Sequence, residues 1–149
     1  SIAQNLCYAA LNRIGKGINI DRKIERKMIE KQVSDLQIKV ADTSYPISVL
    51  SGGNQQKVAV GNWLNIDPEV MIFDEPSKGI DVNAKQQIFQ IIWDQSRKGV
   101  SSILVSTELE ELLETCHRIL IMRNGKITKE VDPKQMTVED LYAVCMGEE

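Results

Sequence analysis

Cysteine is scarce and odd in number: Cys7, Cys116 and Cys145 lie far apart in 149 residues. Such a set fits neither a disulfide framework nor a zinc site, and a reducing, cytoplasmic setting is the simpler reading. Aromatic residues make up only 5%, too few for the stacking platforms that bind single-stranded nucleic acid. Charge of one sign is lacking as well. The net charge is −3 and no basic stripe dominates, so the chain has no electrostatic footprint for a polyanion and no nucleic acid is expected as a partner. No apolar run approaches the ~20 residues of a membrane helix. Residues 1–6 have neither the basic flank nor the long apolar core of a signal peptide. The sequence does not open with Met, so it reads as a piece of something longer. What remains is ordinary globular composition, 42% hydrophobic and 26% charged, at a length suited to one domain or less.

The first third reads as helix. Ile2, Leu6, Ala9 and Ala10 recur at helical spacing until Gly15 and Gly17 break the pattern. Asp21 can cap a second helix with an apolar face of Ile29, Val33, Leu36 and Val40. On its other side Lys31, Asp35 and Lys39 alternate in sign, as on a solvated face. Thr43-Ser44-Tyr45-Pro46 is a turn. Gly52-Gly53 opens a helix to about Leu64, and Asp67-Pro68 turns the chain. Val70-Met71-Ile72-Phe73 is a short continuous apolar run, predicting a strand buried on both faces. A helix from Val82 to Arg97 follows, apolar at Ala84, Ile88, Ile91 and Ile92 and ended by Gly99. A second strand over 102–106 completes a βαβ unit, which implies parallel strands and a right-handed crossover. A short helix from Leu109 to Thr115 comes next. Residues 118–131 form a hairpin around Asn124-Gly125, a type I′ pair. Thr137 caps a last helix bearing Val138, Leu141 and Val144.

Two segments carry chemistry. In Leu50-Ser51-Gly52-Gly53-Asn54-Gln55-Gln56-Lys57, two glycines at a helix start allow close backbone approach, and free N–H groups there favour an anion. Ser51 adds a hydroxyl, and Asn54 and Gln55 add amide donors. Alone, this segment is equally well a helix cap on a glycine turn. The second segment is the apolar strand ending in Asp74-Glu75-Pro76. α/β nucleotide hydrolases place acids at that edge of the sheet. The first carboxylate can hold Mg²⁺ through water, and the second can orient or deprotonate an attacking water.

Leu50-Ser51-Gly52-Gly53-Asn54-Gln55 resembles the signature motif of the ATP-binding cassette (ABC) ATPases. Asp74-Glu75-Pro76 resembles their Walker B end, and Ser77-Lys78-Gly79-Ile80-Asp81 their D-loop. The likeness runs over residues 45–131 and is greatest to the second cassette of bacterial monosaccharide importers. It implies an α/β fold: a partial P-loop NTPase with a parallel βαβ core, a helical subdomain portion over 1–50, and a truncated ATPase core over 51–149 ending in a hairpin and helix. A P-loop, Gly-x-x-x-x-Gly-Lys-Ser/Thr, does not occur in these 149 residues. The P-loop strand is therefore expected to be absent and the chain to be the back half of a cassette. Where the family usually ends its next strand in a histidine, this chain has Thr107, a substitution frequent in the second cassette of the group. Threonine can donate one hydrogen bond but carries no charge. The lone histidine, His117, is expected to be an exposed structural residue.

The resemblance implies ATP and Mg²⁺ as cofactors. Leu50, Ser51, Gly52, Gly53, Asn54 and Gln55 would meet ATP held by a partner cassette, the first of the same polypeptide. Asp74 would serve the metal and Glu75 catalysis, with Ser77 and Asp81 in the D-loop and Thr107 at the switch position. The implied partners are membrane permease subunits and, indirectly, a periplasmic or extracellular sugar-binding protein. The implied place is the cytoplasmic face of a bacterial membrane. The competing readings are a non-transport cassette ATPase of DNA repair or translation, and an interaction module without catalysis.

Overall fold

The computed structural model describes residues 1–16 and 19–147. The expected break at Gly17 lies outside the described residues. The chain forms two compact units: Ser1–Met71 with Pro76–Ser101, and Ile72–Glu75 with Ser102–Glu149.

The first unit opens on α1 (Ile2–Cys7), whose N-terminus carries a capping box between Ser1 and Gln4. The single helix expected here is interrupted by a 3-10 turn, Tyr8–Ala10, before α2 (Leu11–Ile14). Ile2, Leu6, Ala10 and Ile14 nevertheless stay buried, so the break preserves the apolar face. The hydropathy pattern gives no sign of the antiparallel pair β1 (Gly15–Lys16) and β2 (Asn19–Ile20) that comes next. In α3 (Arg22–Asp35) the Asp21 carboxylate accepts from the N–H groups of Lys23 and Ile24, as its cap role predicts. The helix ends before Val40, because Gln37 takes a left-handed φ of 50°. Its buried residue is Gln32, while Ile29 and Val33 are half-buried. The exposed Lys31–Asp35 pair forms at 3.2 Å.

After a 3-10 turn (Ile47–Val49) comes α4 (Gly52–Leu64), and after the acidic strand comes α5 (Val82–Arg97). α4 packs on α1 and α5. A methyl group on Gly61 would stand 3.0 Å from the side chains of both Leu6 and Leu36. The expected boundary between 50 and 51 is therefore not where the compact units part. Val58, Val60, Gly61 and Leu64 bury α4 against the preceding helices. Buried polar groups lock the same contact: Gln32 Nε2 donates to Asn65 Oδ1 at 3.0 Å, and Asn65 Nδ2 donates to Leu6 O at 2.9 Å. Arg13 closes the C-terminal end of α4, bonding the carbonyls of Asn65 and Ile66 and pairing with Asp67.

β3 (Val70–Asp74) and β4 (Ser101–Val105) pair in a two-stranded sheet. Ser101 N–H donates to Glu69 O and Glu75 N–H to Val105 O, both at 2.9 Å, so the strands run parallel. The expectation of a strand buried on both faces does not hold. Met71 and Phe73 are buried, but Val70 and Ile72 are exposed, as are Ile103 and Val105. Apolar sequence on both faces of a strand does not require cover on both within one chain.

The second unit carries α6 (Leu109–Thr115), β5 (Ile119–Arg123), β6 (Lys126–Val131) and α7 (Val138–Met146). β5 and β6 are antiparallel with a bulge between Ile121 and Met122. Asn124 and Gly125 have φ of 50° and 75°, both positive as a type I′ turn demands. Ile119, Ile121 and Leu141 form a small buried cluster, flanked by Leu112, Leu113 and Val144. Thr137 makes the expected cap, in a capping box with Asp140. His117 is exposed, as expected.

Candidate nucleotide site

In the first unit, Ser51 is the N-cap of the 13-residue helix α4 and is exposed. Its side chain makes no capping bond, and the first backbone N–H turned inward is that of Gln55, to Ser51 O at 2.9 Å. The first turn of α4 therefore presents main-chain donors at the positive end of a helix. Leu50 holds the approach to this turn, because its carbonyl accepts from Gln55 Nε2 at 2.9 Å.

The two glycines differ. A methyl on Gly53 would fall 2.4 Å from Ala84 Cβ, so glycine is required for α4 to touch α5. A methyl on Gly52 would meet Ile80 Cγ2 at 3.5 Å and Gly79 O at 3.7 Å, ordinary contact distances. The signature turn and the Gly79-Ile80-Asp81 loop thus lie side by side in this unit. Asp81 caps α5 by accepting from Ala84 N–H at 3.0 Å, and Ser77 is buried.

Each end of the Asn54 amide has a partner within the protein. Asn54 Oδ1 accepts from Lys39 N–H, and Asn54 Nδ2 donates to Ser51 Oγ, each at 3.0 Å. Buried Lys57, one turn on, donates to Gln37 O at 3.3 Å. Desolvation and the neighbouring Lys39 charge hold its ammonium below the usual lysine value. Lys57 belongs to the motif, but nothing in the motif signals its burial.

In the second unit, Asp74 ends β3 exposed, and Glu75 follows with a left-handed φ of 47°. That φ is uncommon for a residue with a side chain. Glu75 Oε1 accepts from Thr107 N–H at 3.0 Å, and Oε2 accepts from Thr107 Oγ1 at 3.4 Å. The switch position and the acid are therefore in direct contact. Ser106 Oγ, one residue earlier, donates to the buried Glu111 at 2.8 Å. No signal in the sequence points to that pair. Among the described residues no group of three or more His, Cys, Asp or Glu could hold a metal ion. A single exposed carboxylate such as Asp74 is a donor set compatible with Mg²⁺, which takes one or two carboxylates and fills its shell with water and phosphate oxygens. Among the described residues no helix is long and apolar enough to cross a membrane.

The family model described as ABC transporter matches residues 2–78, more than half of the chain. The ribose import ATP-binding protein RbsA 1 of Mesorhizobium japonicum is 36% identical over 147 residues, 99% of this chain and 28% of the relative. RbsA of Caldanaerobacter subterraneus subsp. tengcongensis is 39% identical over 150 residues, 100% of this chain and 30% of the relative. The chain thus spans under a third of the length of these curated relatives. Among solved structures, cbiO1 from Clostridium perfringens, part of an ABC transporter complex, superposes with a TM-score of 0.73 at 21% identity, over 98% of this chain and 55% of that one. A dimeric ATP-binding cassette in a post-hydrolysis state with ADP and Pi gives 0.73 at 18% identity, over 91% of this chain and 58% of its own. At these identities the likeness shows the fold: a mixed α/β partial ATPase domain with a parallel sheet and a hairpin, as expected. The chain belongs to the ABC transporter family.

Proposed function

We propose that this chain is the back half of the second cassette in the ATP-binding subunit of a bacterial monosaccharide importer, which couples ATP binding and hydrolysis to uptake. The names of the relatives favour ribose as the sugar. The observation that carries the reading is Ser51, exposed at the uncapped start of α4 beside the Gly79-Ile80-Asp81 loop. A hydroxyl and main-chain N–H groups at the positive end of a helix suit the γ-phosphate of ATP. In this reading that ATP is bound by the first cassette of the same polypeptide, with Ser51, Gly52 and Gly53 supplying contacts in trans. Asp81 and Ser77 belong to the loop linking the two composite sites.

Asp74 and Glu75 serve the other composite site. Asp74 would hold Mg²⁺ through water, and the ion when bound neutralises phosphate charge. Glu75 orients a water for attack on the γ-phosphate. Thr107 fixes the direction of that carboxylate, where a histidine would also bring charge. With no P-loop sequence in the 149 residues, the isolated chain is expected not to hydrolyse ATP and to bind it weakly, because backbone N–H groups and a lysine around the β- and γ-phosphates supply most of the grip. The whole protein would sit peripherally on the cytoplasmic face of the membrane. The helical segment 1–50 would face the permease subunits, and the sugar-binding protein would act indirectly.

The test is ATP hydrolysis by the full-length protein in proteoliposomes with its permease and sugar-binding subunits. ATPase activity that rises on adding ribose with the binding protein supports the reading. Activity indifferent to any monosaccharide overturns it.

A further inference from the structure

The sequence pattern offers Asn54 as a direct donor to nucleotide, but both ends of its amide are engaged within the protein. Lys39 N–H reaches Oδ1 and Nδ2 reaches Ser51 Oγ, each at 3.0 Å. The Lys39 contact fixes the amide's orientation, since a backbone N–H can be met only by the oxygen. Hydroxyl valence then decides the polarity of Ser51. An Oγ that accepts from Asn54 keeps its own proton to donate elsewhere. Ser51 does not use its side chain to cap α4, and it is exposed. The hydroxyl is thereby set as an outward donor, the polarity an anionic oxygen requires.

The support for Asn54 is itself held. Residues 37–39 are pinned to α4 by Lys57 Nζ on Gln37 O at 3.3 Å, and Ile38 is buried. Ile38 N–H also returns to Val33 O of α3 at 2.9 Å. We propose that Asn54 is a positioning residue that turns the Ser51 hydroxyl toward the γ-phosphate, and that the segment after α3 sets Asn54 in turn. This rests on the reading of Ser51 given above.

A mutant cycle on the full-length, reconstituted protein tests it. Asn54→Leu is near in shape, uncharged, and removes donor and acceptor together. It is expected to lower kcat about tenfold, the loss typical of a misdirected hydrogen bond to a charged group, with KM for ATP within about twofold, the split of an interaction made in the transition state. Asn54→Asp keeps an acceptor for Lys39 N–H but cannot donate to Ser51, and its loss should be at least as large. In a Ser51→Ala background Asn54→Leu should change kcat by less than about twofold, because its route to the nucleotide is gone. A full additive loss in that background, or wild-type kcat for Asn54→Asp, overturns the proposal and leaves Ser51 as the contact. Wild-type kcat for Ser51→Ala overturns the reading of Ser51, and the proposal with it.

Discussion

The two units hold their candidate site residues by different means. In the first, the signature helix is packed on two sides, and the polar residues around Ser51 are consumed in fixing it: Asn54, Gln55 and Lys57 each bond to main chain or to Ser51. In the second, the Glu75 carboxylate is held by Thr107 and its N–H by Val105 O, and the buried cluster of the unit is small. Apolar side chains of the hairpin remain outside it, with Met122 65% and Ile127 58% exposed. A motif residue in a packed helix inherits its geometry from many contacts, whereas one at a strand end depends on few. Substitution should therefore spread its effect through the first unit and stay local in the second.

The largest contrast is expected from core truncation. Leu6 and Leu141 are both fully buried, so Leu→Ala costs each about 2–5 kcal/mol of transfer and cavity energy. Leu6 stands against Gly61 and its carbonyl ends the buried Gln32–Asn65 relay. Leu6→Ala should therefore lie at the upper end and Leu141→Ala at the lower. Urea midpoints for the two variants measure the difference, and equal losses would break the comparison.

Glycines give the next effect. Gly53→Ala drives a methyl into Ala84 and should cost about 1–3 kcal/mol by overpacking. Gly125 has φ 75° and nothing within 4 Å of a methyl placed there. Gly125→Ala meets only the left-handed backbone penalty, roughly 1–2 kcal/mol. Hydrogen exchange separates the two, with protection falling across α4 and α5 in the first variant and confined to β5 and β6 in the second.

These pairs show what sequence alone could supply. Caps at Asp21 and Thr137 and the Asn124-Gly125 turn are local chemistry, and they form as the residues predict. The roles of Gly53 and Asn54 are not local: one is decided by Ala84 and the other by Lys39, distant in sequence. The motif singles out these residues, but only the packing shows which of them face outward. The exposure of Ile72 was illegible for the same reason, since an apolar residue does not state what covers it.

Thiol chemistry gives the smallest effect. Burial, with the Glu25 charge, pushes the Cys7 thiol up from 9.0 to about 11. Burial also raises that of half-buried Cys116. Because the folded value of Cys7 lies above the unfolded one, its contribution to stability is whole below the ordinary thiol pKa and falls as pH rises toward the folded value. Iodoacetamide labelling of the native protein should spare Cys7 at pH 8 and reach it only with unfolding. Rapid native-state labelling of Cys7 would show that the first unit opens more readily than its packing implies.

In the proposed function Ser51 serves the ATP held by the first cassette, whereas Glu75 serves a site where an uncharged Thr107 stands in place of a histidine. We propose that this second site contributes less to turnover. The deciding measurement is the steady-state ATPase rate of Ser51→Arg and of Glu75→Gln in the full-length protein with its membrane subunits. Loss of a donor aimed at transition-state charge lowers the rate roughly 10²–10³-fold, and the arginine adds bulk beside the Gly79-Ile80-Asp81 loop. Ser51→Arg should therefore be inactive while Glu75→Gln keeps a substantial part of the wild-type rate. An inactive Glu75→Gln beside a Ser51→Arg protein that retains most of its rate would contradict the assignment.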